Sequence, residues 1–122
     1  MWIKIVSTMH EKENVLTLTY DLLLFAIPTL VKFPRSQKFV LADRLQNALT
    51  GLLELLIEAY YSHGEQKRIA LQTANLELEK IRYLVRLSKD LHCLDLRRYE
   101  LMAGKLNEIG VQTGAWLKSL GR

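Results

Sequence analysis

Apolar positions fall into four blocks, separated by short runs of breaking residues. The clearest period lies between residues 65 and 90. There Leu71, Ala74, Leu78, Ile81, Val85 and Ser88 follow a 3-4-3-4-3 spacing and share one helical face. The opposite register is Arg68, Gln72, Asn75, Glu79, Arg82, Arg86 and Lys89, polar throughout and cationic toward its C-terminal end. This pattern predicts an amphipathic helix. A second block carries a seam at Ala42, Leu45, Leu49, Leu52, Leu56 and Ala59. Two further stripes flank it, Leu41-Ala48-Leu55 and Leu53-Ile57-Tyr60. The block from Val15 to Val31 is likewise apolar on most sides. The last block repeats the seam at Tyr99, Met102, Leu106, Ile109, Thr113, Trp116 and Leu120.

The breakers define the joints. Pro34 disfavours helix at Phe33, and Ser36 is a candidate N-cap for the next helix. Gly64 can take the left-handed backbone that ends a helix. The third joint is softer, near Asp90 to Asp95, with Asp95 as its candidate N-cap. Four helices follow, at about 12–32, 36–62, 65–90 and 95–120, each roughly 30–40 Å long. Short joints favour an all-α, antiparallel up-down-up-down four-helix bundle in a single domain spanning 1–122. Residues 1–8, with Trp2, Ile3, Ile5 and Val6, read as a short strand or an apolar arm. Pro28 should kink the first helix. Gly110 and Gly114 share a face, where a neighbouring backbone could approach closely.

In one small bundle each helix has about two neighbours. A helix that is apolar nearly all round needs more cover than that. The first two helices therefore predict an additional partner surface, and self-association is its simplest source.

Composition agrees with helices: 49% of residues are apolar, 25 are leucine, and only six are Gly and two Pro. The longest apolar run, from Leu22 to Val31, is about half the length of a membrane span and contains Pro28. One cysteine, Cys93, leaves no internal disulfide to form, so a soluble cytoplasmic protein is expected.

Chemistry is sparse. Glu54 and Glu58 lie four apart, but neither is followed by the His of a Glu-x-x-His motif. His92 and Cys93 are adjacent, yet zinc needs about four ligands and no second pair exists. Cys93 has no base marked out for it, and no phosphate-binding glycine loop occurs. The chain reads as a non-enzyme without metal or cofactor.

Charge is more informative by segment. The total is a mild +4, and the segments 1–34 and 35–62 are each neutral. Residues 63–90 carry six cations and four acids, and residues 91–122 five and three. Arg82, Arg86 and Lys89 lie at helical spacing, and Arg97 and Arg98 follow across the joint. In an antiparallel hairpin these five gather near one end. Arginine forks suit phosphate oxygens. No base-stacking aromatic set accompanies them, so nucleic-acid binding is expected to be backbone-directed and salt-sensitive.

Three stretches together resemble a known family. They are FPRSQKFVLADRLQNALTGLLELLIEAYYS, ANLELEKIRYLVRLSKDL and RRYELMAGKLNEIGVQTGAWLKSL. The sequence is similar over about residues 20–120 to the accessory variability determinants of diversity-generating retroelements. The resemblance implies a homopentameric barrel of four-helix protomers with no catalytic site. It also implies a basic surface that binds the element's reverse transcriptase together with RNA and DNA, in support of mutagenic cDNA synthesis. Candidate contact residues in or beside the matched stretches are Arg35, Lys38, Arg68, Arg82, Arg86, Lys89, Arg97 and Arg98. Related four-helix proteins encoded within ribosomal RNA intervening sequences share the fold and part of the pattern. They leave open an alternative structural or RNA-associated role.

Overall fold

A computed structural model describes the backbone of residues 10–121 and the side chains of residues 15–121. The strand or arm expected at residues 1–8 lies outside the described residues. Four helices account for nearly all of the rest, and no strand occurs among the described residues. Helix α1 is His10–Val31. Helix α2 is built of three joined pieces: an α turn at Arg35–Gln37, a π turn at Lys38–Ala42 and a regular stretch at Asp43–Tyr61. Helix α3 is Gly64–Asp90 and α4 is Leu96–Ser119. The observed ends fall within two residues of those expected.

Each helix packs against two neighbours: α1 and α3 each touch both α2 and α4. Arg68, at the start of α3, donates from Nη2 to the Leu120 carbonyl just past α4, at 2.6 Å. At the opposite end Lys89 Nζ lies 4.8 Å from the Tyr99 ring centroid. Helices α3 and α4 therefore run antiparallel.

The core is the set of seams read from the pattern. Leu71, Ala74, Leu78, Ile81, Val85 and Ser88 are all buried on α3. Leu45, Leu49, Leu52, Leu56 and Ala59 are buried on α2, as are Met102, Leu106, Ile109, Thr113 and Trp116 on α4. From α1 come Val15, Leu22, Leu23, Ala26 and Leu30. Burying a leucine is worth about 1.5–3 kcal/mol, so these repeated rows dominate the stability. The hydroxyls of Thr19, Thr29 and Ser88 are taken into this apolar interior by donating to the carbonyl four residues back, Val15, Phe25 and Leu84 respectively.

Apolar surface remains outside the bundle. Tyr20, Leu24 and Val31 are exposed on α1, and Phe39, Val40, Ile57 and Tyr61 on α2. Helix α3 adds Ile69, Leu76 and Tyr83, spaced seven residues apart, and Leu87 one turn further on. The uncovered surface is thus not confined to α1 and α2. The α3 stripe lies one residue beyond the polar register, on the side of the helix turned away from the core.

The joints differ in their caps. Ser36 does not cap α2; Pro34 takes the N-cap position and Ser36 lies inside the first turn. Asp95 does cap α4, accepting the Arg98 backbone N–H at 2.8 Å. Gly64 has φ of 60°, but as the first residue of α3 rather than as a stop for α2. The stop of α3 is a Schellman arrangement. The Cys93 N–H donates to the Ser88 carbonyl at 2.8 Å and the His92 N–H to that of Lys89 at 2.9 Å. His92 occupies the left-handed position, with φ of 64°. A left-handed residue with a Cβ is strained, and His92 is exposed. His92→Gly should therefore stabilise the fold by about 0.5–1 kcal/mol, raising the thermal midpoint by a few degrees. Thermal unfolding followed by circular dichroism checks this.

Candidate nucleic-acid interface

The two joints, 32–34 and 91–95, lie at the same end of the bundle. A hollow of about 300 Å3 shows this directly, because it is lined by Thr29 and Lys32 from one joint region and Cys93, Leu94, Asp95 and Arg98 from the other. A second hollow of about 340 Å3 opens at the start of α2, lined by Phe33, Arg35, Lys38 and Phe39.

This end concentrates the charge. Residues 27–40 and 86–101 supply Lys32, Arg35, Lys38, Arg86, Lys89, Arg97 and Arg98, against Asp90, Asp95 and Glu100. The difference equals the +4 of the whole chain. By sequence segment the excess belonged to the last two helices. In space the neutral first half adds three cations to the same end, because its compensating acids lie elsewhere.

The cations have different engagements. Arg98 Nη1 is 2.6 Å from Asp95 Oδ2, which binds it to the α4 cap. Lys89 is 3.3 Å from Asp90 Oδ1 and sits over Tyr99. Arg86 reaches Asp90 only at 4.0 Å, and both side chains are more than half exposed, so that pair contributes little. Lys32, Arg35, Lys38 and Arg97 have no ion pair among the described residues.

Two predicted site residues stand apart. Arg68 lies at the far end, where it holds the Leu120 carbonyl and approaches Glu65 Oε1 at 3.6 Å. Arg82 pairs with Glu79 Oε1 at 3.2 Å and lays its guanidinium over Gly110 of α4. A Cβ at Gly110 would press on Arg82 Nη2 and lie 3.5 Å from its Cζ. Gly110 thus makes room for a side chain rather than for the neighbouring backbone that was expected. Gly114 has nothing within 4 Å of where its Cβ would sit.

Residues 14–120 match the model of a family described as bAvd-like, the bacterial accessory variability determinants. The chain belongs to the bAvd-like family. Comparison with curated proteins and with solved structures gives no match. Membership suggests an accessory role in diversity-generating retroelements. The bAvd-like chain has, among its described residues, no helix long and apolar enough to cross a membrane and no cluster of three metal-ligating side chains. Glu54 and Glu58 are solvent-exposed on α2. Cys93 is half-buried, and desolvation pushes its thiol above the ordinary value, so it stays protonated and weakly nucleophilic.

One residue at this end escaped the sequence reading. Phe39 is 75% exposed beside Arg35 and Lys38. A regular helix extended back from Leu49, Leu45 and Ala42 would bring Lys38, which is 11, 7 and 4 residues back, onto the core face and leave Phe39 at its flank. The π turn inserts one residue into the period and rotates Phe39 outward. Only the proximity of Phe39 to two cations in FPRSQKF hinted at this.

The α4 cap makes this end sensitive to acid. The Asp95 carboxyl is held below the ordinary aspartate value, chiefly by the Arg98 backbone N–H and then by the side chains of Arg98 and Arg97. A depressed native value stabilises the fold above the unfolded aspartate pKa of about 3.9, and this is lost as pH falls through the native value. Thermal midpoints of wild type and Asp95→Ala should differ at about pH 7 and converge at about pH 2. Asp95→Asn should keep part of the difference by retaining the acceptor.

Proposed function

We propose that this bAvd-like chain is a non-catalytic, cytoplasmic accessory protein of a diversity-generating retroelement. It binds the element's reverse transcriptase, template RNA and DNA through the basic end of the bundle. In doing so it supports mutagenic cDNA synthesis. The observation that carries the reading is the coincidence of the chain's whole net charge with the joint end. Lys32, Arg35, Lys38 and Arg97 are the cations there without internal ion pairs among the described residues. Phosphate oxygens are the natural partners of such a group.

A chain with +4 is a weak nucleic-acid binder alone. The apolar residues exposed on all four helices support self-association, and the family resemblance supports five copies. A ring would repeat the basic end five times, so that one nucleic acid could engage several copies. Static light scattering at micromolar concentration should give the mass of five chains, and a stable monomer would contradict the ring.

Reconstitution with the cognate transcriptase and template RNA tests the function itself. Omitting this protein should abolish or sharply reduce cDNA synthesis; unchanged synthesis sinks the reading. Joint reversal of Arg35, Lys38, Arg86 and Arg97 to Glu should weaken binding and reduce the salt slope by about 1 per lost phosphate contact. Helicity should be unaffected, because none of the four supports the core. An unchanged binding isotherm would exclude this end of the bundle.

A further inference from the structure

The hollow at the start of α2 combines two kinds of surface. Phe33 is buried and forms its floor, whereas Phe39 stands 75% exposed at its side. Arg35 and Lys38 complete the lining. At about 340 Å3 it lies at the low end of small-molecule clefts, with room for one planar heterocycle.

Phe39 is presented on a firm base. The π turn that turns it outward also carries Leu41 and Ala42, both buried in the core. The ring therefore projects from a turn anchored on its other side. A purely apolar occupant would leave the two flanking cations desolvated without countercharge, which is costly. A nucleotide matches both features, with a base for the ring and phosphates for Arg35 and Lys38. Lys32 and Arg97 at the same end extend the positive surface along which a strand can continue.

We propose that Phe39 is a stacking platform for an unpaired nucleobase, with Arg35 and Lys38 holding the adjoining phosphates. The inference rests on the nucleic-acid reading of the basic end and gives it a preference for single strands. A base inside a duplex keeps its faces in the stack and cannot lie on the ring. Every base has a π-face, so the platform accepts any sequence.

The test uses the full chain and three probes of equal length: oligo(dT), an abasic strand and a duplex. Wild type should bind oligo(dT) roughly tenfold more tightly than the abasic strand. Phe39→Ala should erase that difference while leaving abasic and duplex binding and their salt slopes unchanged. Phe39→Trp should restore it. If Phe39→Ala binds oligo(dT) as wild type does, or loses affinity equally for all three probes, stacking is wrong. If the substitution instead changes the mass by light scattering, the ring is a protein contact and the proposal fails. Equal binding of all three probes by wild type removes the platform but keeps the basic-end reading, whereas binding of none removes both.

Discussion

Leu45, Leu49, Leu52 and Leu56 of α2 have no exposed surface, and neither do Leu71 and Ile81 of α3 or Leu106 and Ile109 of α4. These rows must face one another along about 30 Å of helix, and that requirement sets each helix's rotation. Charged side chains are excluded from the seam, so they are driven to the outer faces and the two ends. Of the few polar groups inside, the hydroxyls of Thr19, Thr29 and Ser88 satisfy themselves on their own helix, whereas Thr113 Oγ1 and Trp116 Nε1 of α4 are buried without a partner. Which end becomes basic is then decided by which joints carry arginine and lysine. The joint at Ser62-His63 carries none and is bordered by Lys67 and Arg68 balanced by Glu58 and Glu65, whereas the other two carry or border all seven against only three acids.

The same requirement explains the π turn. Phe33 closes the bottom of the core and is buried, while Leu41 and Ala42 must meet the seam that continues through Leu45. A regular helix extended back from Leu45 and Ala42 would present Lys38 to the core at the next inward position. Burying Lys38 would cost far more than a lost regular hydrogen bond. With one extra residue in the turn Leu41 and Ala42 stay inside, Lys38 is only half-buried and Phe39 stands at the surface. The aromatic ring beside the cations is thus a consequence of matching two anchored segments whose spacing does not fit a uniform period.

These cases mark what periodicity can and cannot report. A run such as Leu71-Ala74-Leu78-Ile81-Val85 contains its own face, because every step stays within one regular helix. Asp95 was readable as a cap because its acceptor reaches only three residues ahead. Ser36 was misread because Pro34 already supplies the helix start, and no side-chain oxygen is needed there. The partner of Gly110 was beyond reach, since Arg82 belongs to another helix and its direction depends on packing. The α3 stripe at Ile69, Leu76 and Tyr83 is present in the sequence but belongs to neither the core seam nor the polar register, lying beyond the latter on the side away from the core. The gathering of Arg35 and Lys38 with Arg97 needed the topology, because it joins the first half of the chain to the last quarter.

Stability alone does not account for the basic end. Helix N-termini carry partial positive charge and favour acidic residues in the first turn, by about 0.3–1 kcal/mol each. Yet the first turns of both α2 and α4 contain no acid. They hold Arg35, Arg97 and Arg98 instead, and only the capping carboxylate of Asp95 offsets the field at α4. Lys89 is different, since α3 ends there and a cation suits that terminus. The arginines at the helix starts therefore add to a field that already opposes them, at a cost to folding. An anion at this end would relieve both the side-chain repulsion and the unpaired helix dipoles at once. The anionic partner we propose would supply that relief, and it is at the start of α2 that the arginines are joined by an exposed aromatic ring.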